Sequence, residues 1–528
     1  GYARPPEKNG DYAFLLHMVK SLKSTGKGAV ILPHGVLFRG NAEAVIRRSL
    51  VQRGYIKGII GLPPNLFYGT GIPTCIILLD KEGAANRTGI YMVDASKGFA
   101  KDGPKNRLRP RDMHRIVDAV TRQQEVPRYA RLVPIDEIAD PKNGYNLNIP
   151  RYIDASELED IQDLRAHLHG GIPDRDLDAL QPYWDAFPSL RATLFRPLRD
   201  GYSELAVDKT EIQAAISGSS EYETFSATVA DLVAEWWSNH RAHFTAITAT
   251  TRPADLIATL GESLLDLFRS RPLIDEYGVY EKLMSYWHEV MHDDVALIMI
   301  DDWEGAARPR KAIEDKDRRL AETPDLVVGG GRSAAKYRMD LVPPDLIVNR
   351  FFAADRAVID ELETEAEAAT LAVEEYIEEN AGEEGLLAAA MDEDRISKAL
   401  AKARTAQTVK VTGTTDEVAA LNRLIALYDT EASAKACFKA ATATLDRMTL
   451  EQYGKLTTTD IQGIVIDDKW SATIASGVSA ELDALSRHLV GRLHVLADRY
   501  EATLGDFESE VERLSAKATE HLLAMGVG

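Results

Sequence analysis

The stretch "HEVMH", His288 to His292, is a place in this 528-residue sequence where residue types and spacing alone suggest chemistry. On a helix, H-E-x-x-H turns two imidazoles to one side and sets Glu289 beside them as the general base of a zinc hydrolase. Such a centre also needs a third protein ligand and an open position for water. Here "DDVALI" follows, where an extended motif would carry Gly and a third His. The two histidines are therefore expected to be surface and packing residues of a helix, and no metal is expected. "GGGR" at 329–332 lacks the Lys-Ser/Thr of a phosphate loop and any ordered G-x-G-x-x-G. It reads as a flexible turn. There is no G-x-S-x-G, and Cys75 and Cys437 form no Cys-x-x-Cys.

Two other features remain. In "IIGLPPNLFYGTGIPTCIILLD", Phe67 and Tyr68 lie in a loop of Gly, Pro, Asn and Thr between two apolar runs. They either plug the core of their own hairpin or are held out for a ligand. The second feature is charge. The chain carries a net charge of −20, which excludes a general nucleic-acid-coating protein. Yet Lys97 to Arg131 contains ten Lys or Arg against four acids, and Glu361 to Asp394 contains thirteen acids and no base. A local basic strip on an acidic chain can still meet DNA, whereas the acidic block reads as a solvated helix face or a linker.

These residues need elements to position them. "DYAFLLHMVKSLKSTGKG" places Phe14, Leu15, Met18, Val19 and Leu22 at helical spacing, with Gly26 and Gly28 to stop and turn the chain. "AVILP", "IKGII", "TCIILLD" and "GIYMVDAS" read as strands. "NAEAVIRRSLVQRG" reads as a second helix, capped by Asn41 and ended by Gly54. This alternation predicts an α/β sheet with covering helices. The strands flanking the aromatic loop could instead pair as an antiparallel hairpin at the sheet edge. The sheet looks incomplete, since it begins with a helix. From Gly144 onward the chain turns mainly α-helical, with a short mixed segment between Asp293 and Val348, and it ends on an apolar stripe. That stripe runs through Leu485, Leu489, Leu493 and Leu496, then Leu504, Phe507, Val511 and Leu514, in steps of three and four broken near Gly505. The expected division is 1–143, 144–205, 206–360, 361–478 and 479–528, the last a C-terminal helical pair. No apolar run approaches the roughly 20 residues of a membrane span. Two cysteines without a framework fit the cytoplasm. Opening on Gly1, without an initiator Met, suggests a piece of something longer.

"PPEKNGDYAFLLH", "LPHGVLFR", "GLPPNLFYGTGIPTCIILL" and "YNLNIPRYID" occur here in that order. Together they resemble the later half of an amino-group DNA methyltransferase domain, and more closely the modification (M) subunit of a type I restriction-modification system. The likeness continues in "LIDEYGVYEKLMSYWHEVMHDDVALI", "LVPPDLIVNRFF" and "VIDDKWSATIASGVSAELDALSRHLVGRL".

The resemblance implies part of a Rossmann-like sheet that uses S-adenosylmethionine to methylate adenine N6 in DNA. Members hold the cofactor on a Gly-rich turn and the amino group on Asn-Pro-Pro-Tyr or Asn-Pro-Pro-Phe. Neither occurs here, and "LPPN" at 62–65 has the wrong order. The chain is thus expected to begin just after the catalytic tetrapeptide, to carry no catalytic residue, and to be inactive alone. By similarity, Phe67 is the ring that stacks on an adenine taken out of the duplex, with Tyr68 the weaker candidate. Phe14 takes the position that packs on the cofactor's adenine, unless it is a core residue. Lys105, Arg107, Arg109 and Arg111 in "PKNRLRPR" are expected on an exposed loop, contacting phosphates. The implied partners are DNA, a specificity (S) subunit, a second M subunit and a restriction (R) subunit, with the C-terminal helices as the assembly interface. A non-catalytic scaffold and a DNA-binding assembly or regulatory protein are the alternatives.

Overall fold

The computed structural model describes residues 2–156, 161–269, 271–313, 320–331, 334–382, 385–392, 395–408 and 415–526. Arg332 of the Gly run, and Glu383, Glu384, Glu393 and Asp394 of the acidic block, lie outside the described residues. The chain divides into two units. One comprises Gly1–Trp236, Ile257–His288 and Ile474–Gly528, the other Trp237–Leu256 and Glu289–Thr473.

The first unit opens with α1 (Asp11–Ser21), β1 (Lys27–Pro33), α2 (Asn41–Gln52), β2 (Ile56–Gly61), β3 (Thr74–Asp80) and β4 (Gly89–Asp94). A small hairpin of β5 (Ala100–Asp102) and β6 (Lys105–Arg107) follows, then α3 (Pro110–Arg122) and β7 (Ala130–Pro134). The main sheet has the order β1-β3-β2-β4-β7. β2 and β4 are parallel, and every other neighbouring pair is antiparallel. The expected sheet with covering helices is therefore present, but it is mixed. The β2–β3 hairpin lies inside it rather than at its edge. Its loop, Leu62–Pro73, contains no α-helix and cannot supply the crossover that a parallel pair needs. The α2 crossover carries the chain past the place that β3 fills, which leaves β1 at one edge.

Period-two alternation sorts the strands onto two faces. Ile59, Ile77, Ile90, Met92 and Val133 face Leu15, Val19, Ile46 and Leu50 of α1 and α2. Ile60, Tyr91, Val93 and Ala130 face Ile116 and Ala119 of α3. On α1 the buried stripe is Tyr12, Leu15 and Val19, and the Tyr12 hydroxyl donates to the Val36 carbonyl at 2.7 Å. Phe14 is off this stripe and 71% exposed, which removes the core reading of that residue. Asn41 does not cap α2: it is the first helical residue and its side chain makes no capping bond. Gly54, at φ +63°, ends that helix as expected, in the left-handed conformation glycine adopts without strain.

The later helices that matter below are α4 (Ser220–Thr245), α5 (Pro253–Phe268), α6 (Glu276–Tyr286), α7 (His292–Ala306), α8 (Ala353–Asn380), α9 (Thr415–Tyr453), α10 (Ala472–Arg499) and α11 (Leu504–Ala524). In the first unit, Leu489, Leu493 and Leu496 of α10 are fully buried against Leu177, Trp184, Phe187, Leu190 and Leu194. This half of the expected interface is internal core, because the short helices of 174–194 present more apolar surface than they cover among themselves. α11 differs: Leu504, Phe507, Val511 and Leu514 are all exposed, and the helix buries no residue.

The second unit is built on α8 paired with α9, around a core of Val373, Leu387, Leu421 and Leu424. The described acids of α8, such as Glu361, Glu367, Glu374 and Glu378, lie on its exposed face, as a solvated helix face requires. Strands Arg310–Lys311, Leu326–Val328 and Ala335–Arg338 form the mixed segment, with Gly329 and Gly331 turning the chain at positive φ. Asp294 is buried and accepts hydrogen bonds from the Lys469 ammonium (2.7 Å) and the Trp470 indole (2.8 Å). Burial pushes its carboxyl pKa up and Lys469 opposes that. Among the described residues no helix is long and apolar enough to cross a membrane.

Candidate functional site

β1, β2 and β4 run in one direction, so Pro33, Gly61 and Asp94 end side by side on one edge of the sheet. Gly61 pairs with Asp94 on one side and with Cys75 on the other, and Pro33 pairs with Thr74. Carboxyl ends of parallel strands are where open α/β sheets place ligands. The aromatic loop rises from this edge. Its base is closed by the Leu62 amide donating to the Thr74 carbonyl (2.9 Å) and the His34 amide donating to the Pro73 carbonyl (3.0 Å). Asn65 at φ +58° and Gly69 at φ +82° make the bends. A β-carbon on Gly71 would fall 2.8 Å from Asn65 Oδ1, so a side chain there would displace the Asn65 amide.

Leu66 turns inward and packs on the Tyr91–Ile116 core. Phe67 stays 36% exposed and Tyr68 94% exposed. Leu66 is thus a loop residue that packs on this core, while Phe67 is partly and Tyr68 almost fully exposed. The β5–β6 hairpin lies across the loop. Lys105 Nζ donates to the carbonyls of Phe67 (2.7 Å) and Thr70 (3.3 Å). The Asn106 backbone amide donates to the Asn65 carbonyl (3.0 Å), and its side-chain Nδ2 donates to that of Pro64 (2.7 Å). His34 sits beside the same edge, where burial lowers its pKa against the pull of Asp94.

The basic strip is not one exposed loop. Lys105 and Arg107 belong to β6, Arg109 precedes α3, and Arg111 lies in its first turn. Arg109 bonds Asp112 through Nε (2.8 Å) and a terminal nitrogen (3.1 Å), and this pairing raises its pKa. The Arg111 amide donates to Glu281 of α6 at 2.9 Å. Of the four, Arg107 alone is exposed, and the other three are half-buried. The strip folds instead around a cavity of about 310 Å³, with Lys97, Arg111, Arg115 and Arg128 on its wall together with Asp94 and Asp275. The Arg115 guanidinium lies 4.2 Å from the centre of the Tyr129 ring. Sequence reasoning missed Leu66, Asn106 and Arg115. Arg115 was within the counted strip, whereas nothing local marks the other two.

His288 lies within a π-helical turn, Trp287–Met291, and His292 opens the helix that follows it. His288 Nδ1 lies 2.7 Å from the Met284 carbonyl, and His292 Nδ1 lies 3.3 Å from Asp293. Among the described residues no three His, Cys, Asp or Glu group as a metal site. Phe14 stands on the first turns of α1 with its ring near Gly10.

With this geometry in hand, residues 2–161 match the N-6 DNA methylase family. This part of the chain is similar to that family. The type I restriction enzyme MpnII methylase subunit of Mycoplasma pneumoniae is 30% identical over 31% of this chain and 30% of its own length. The MjaVII methylase subunit of Methanocaldococcus jannaschii is 35% identical over 31% of this chain and 28% of its own. The chain therefore spans less than a third of these relatives. Among solved structures, the methyltransferase subunit of a type I restriction-modification system from Streptococcus thermophilus is 44% identical over 28% of this chain and 31% of that one, with a TM-score of 0.27. At that score the superposition adds nothing about the fold. The matched segment contains the whole five-stranded sheet, the aromatic loop and the cationic cavity's strand edge.

Proposed function

We propose that this chain is part of the modification subunit of a type I restriction-modification system, and that it holds an adenine drawn out of DNA for methylation at N6. The observation that carries this reading is the solvent-exposed pair Phe67 and Tyr68, on a loop at the carboxyl edge of an N-6 DNA methylase sheet. An enzyme acting on a base must take it out of the stack and support its faces. Phe67, anchored on both sides by Leu66 and by the carbonyl bonds of its loop, is the stacking ring, and Tyr68 closes the mouth.

The methyl donor of such enzymes is S-adenosylmethionine, which supplies an electrophilic methyl group to the adenine nitrogen. The residues present do not form a pocket for it. Phe14 offers one exposed ring face, and the sequence has no Gly-rich strand-to-helix turn. β1, one of the two edge strands and carrying the exposed Ile31, is where more of a methylase sheet would pair. Arg107 and the cations of the cavity contact DNA phosphates, without reading sequence. The exposed stripe of α11 docks a specificity subunit, and a second modification subunit and a restriction subunit complete the assembly in the cytoplasm. That same stripe favours the second reading, a purely assembling role without contact to the base.

A single-stranded oligonucleotide carrying 2-aminopurine in place of adenine separates the two. Stacking on Phe67 quenches its emission in the unaltered chain, and Phe67→Ala loses the quench. Equal quenching by both chains would leave only the assembly role.

A further inference from the structure

We infer that Lys105 and Asn106 are positioning residues, and that the β5–β6 hairpin is a clamp fixing the height and tilt of Phe67 at the sheet edge. The inference rests on the reading of Phe67 as the stacking ring. Four donor contacts from two adjacent residues fall on four carbonyls of one loop: Pro64, Asn65, Phe67 and Thr70. The loop's own cross-bonds are sparse: besides its base, Asn65 N–H reaches the Gly71 carbonyl at 3.4 Å and Ile72 N–H reaches Thr70 Oγ1 at 3.1 Å. Two of its bends run through Asn65 and Gly69 at positive φ, a conformation these residue types adopt readily, so the loop's bends are local while the bonds from Lys105 and Asn106 fix it to the hairpin. Lys105 spans the apex, bonding on either side of Tyr68 and Gly69. Asn106, only 5% exposed, is fixed beneath the loop's first half. An ammonium directed at carbonyls makes charge-assisted bonds, which are stronger than neutral ones. Specificity follows from rigidity, because a stacking ring on a loose loop must be ordered each time a base arrives. Lys105, which the sequence marks as a phosphate contact, thus acts on the protein's own backbone.

Hydrogen exchange and oligonucleotide binding on the full chain test this together. Lys105→Met should raise amide exchange in residues 62–73 by about tenfold or more, since the charge-assisted bonds to the Phe67 and Thr70 carbonyls are both lost. Exchange in β2, β3 and α1 should stay unchanged, and Lys105→Arg should restore loop protection. The 2-aminopurine quench should fall while the salt dependence of binding stays the same. A residue touching phosphate would instead lower the slope by about 0.7. Unchanged exchange in the loop, or a lowered salt slope with an intact quench, overturns the clamp. A rise in exchange across the whole sheet does so too. If the unaltered chain shows no quench, the Phe67 reading fails, and the exchange of Lys105→Met against Lys105→Arg still decides whether the hairpin clamps the loop.

Discussion

Phe67 and Tyr68 are adjacent, yet the structure treats them differently. Tyr68 is free of packing at 94% exposure, so Tyr68→Ala should change stability by less than about 0.5 kcal/mol in thermal or urea unfolding. Phe67, only 36% exposed, packs more, so Phe67→Ala should cost more than Tyr68→Ala in unfolding and should also weaken base stacking by about 1–3 kcal/mol, read as oligonucleotide affinity. His34 gives a pH signature. Burial lowers its pKa, so the unfolded chain takes up a proton more readily than the folded one. Its contribution is complete above the ordinary imidazole value of about 6.5 and is lost as pH falls through that value toward the lowered one. The urea midpoint of the unaltered chain should therefore fall relative to that of His34→Gln as pH is lowered from 8 to 5. A midpoint difference that does not change with pH, or that shifts in favour of the unaltered chain, would contradict the burial of His34.

At the scale of elements, the strands were legible because each is a short apolar run bounded by Gly, Pro or Asp, and "TCIILLD" is β3 from end to end. Their order was not. Nothing in β2 or β3 states that β3 inserts between β1 and β2, since that follows from where α2 delivers the chain. The rings were legible as outliers in a bending loop, but their support by Lys105 and Asn106 comes from residues about forty positions away. The leucine stripe on α10 and the one on α11 share a pattern and have opposite fates, because periodicity identifies an apolar face and not its partner. Removing α11 after Glu501 should leave the chain folded and abolish co-purification with a specificity subunit. Removal after Val478 should unfold the first unit, because Leu489, Leu493 and Leu496 go with it. In the second unit, Lys469→Met strands a buried carboxylate and should cost about 3–5 kcal/mol in urea unfolding. Restored stability in the Lys469→Met, Asp294→Asn double variant would confirm that the cost is electrostatic.

For the whole molecule, the first unit alone holds both the aromatic loop, proposed to receive a base, and the exposed helix α11, proposed for assembly, and the chain spans less than a third of a methylase relative's length. Without a Gly-rich turn or an Asn-Pro-Pro-aromatic sequence, the purified 528-residue chain should show neither methyl transfer nor micromolar binding of S-adenosylmethionine by calorimetry. The central claim is that the base is received at the aromatic loop, and photo-crosslinking reads that position directly. An oligonucleotide with 5-iodouracil at the target position is irradiated on the full chain, and the attached peptide is mapped by mass spectrometry. The account predicts attachment within residues 62–73, centred on Phe67 and lost in Phe67→Ala. Attachment at Tyr129 or Tyr277 of the cationic cavity, with none in the loop, would contradict it.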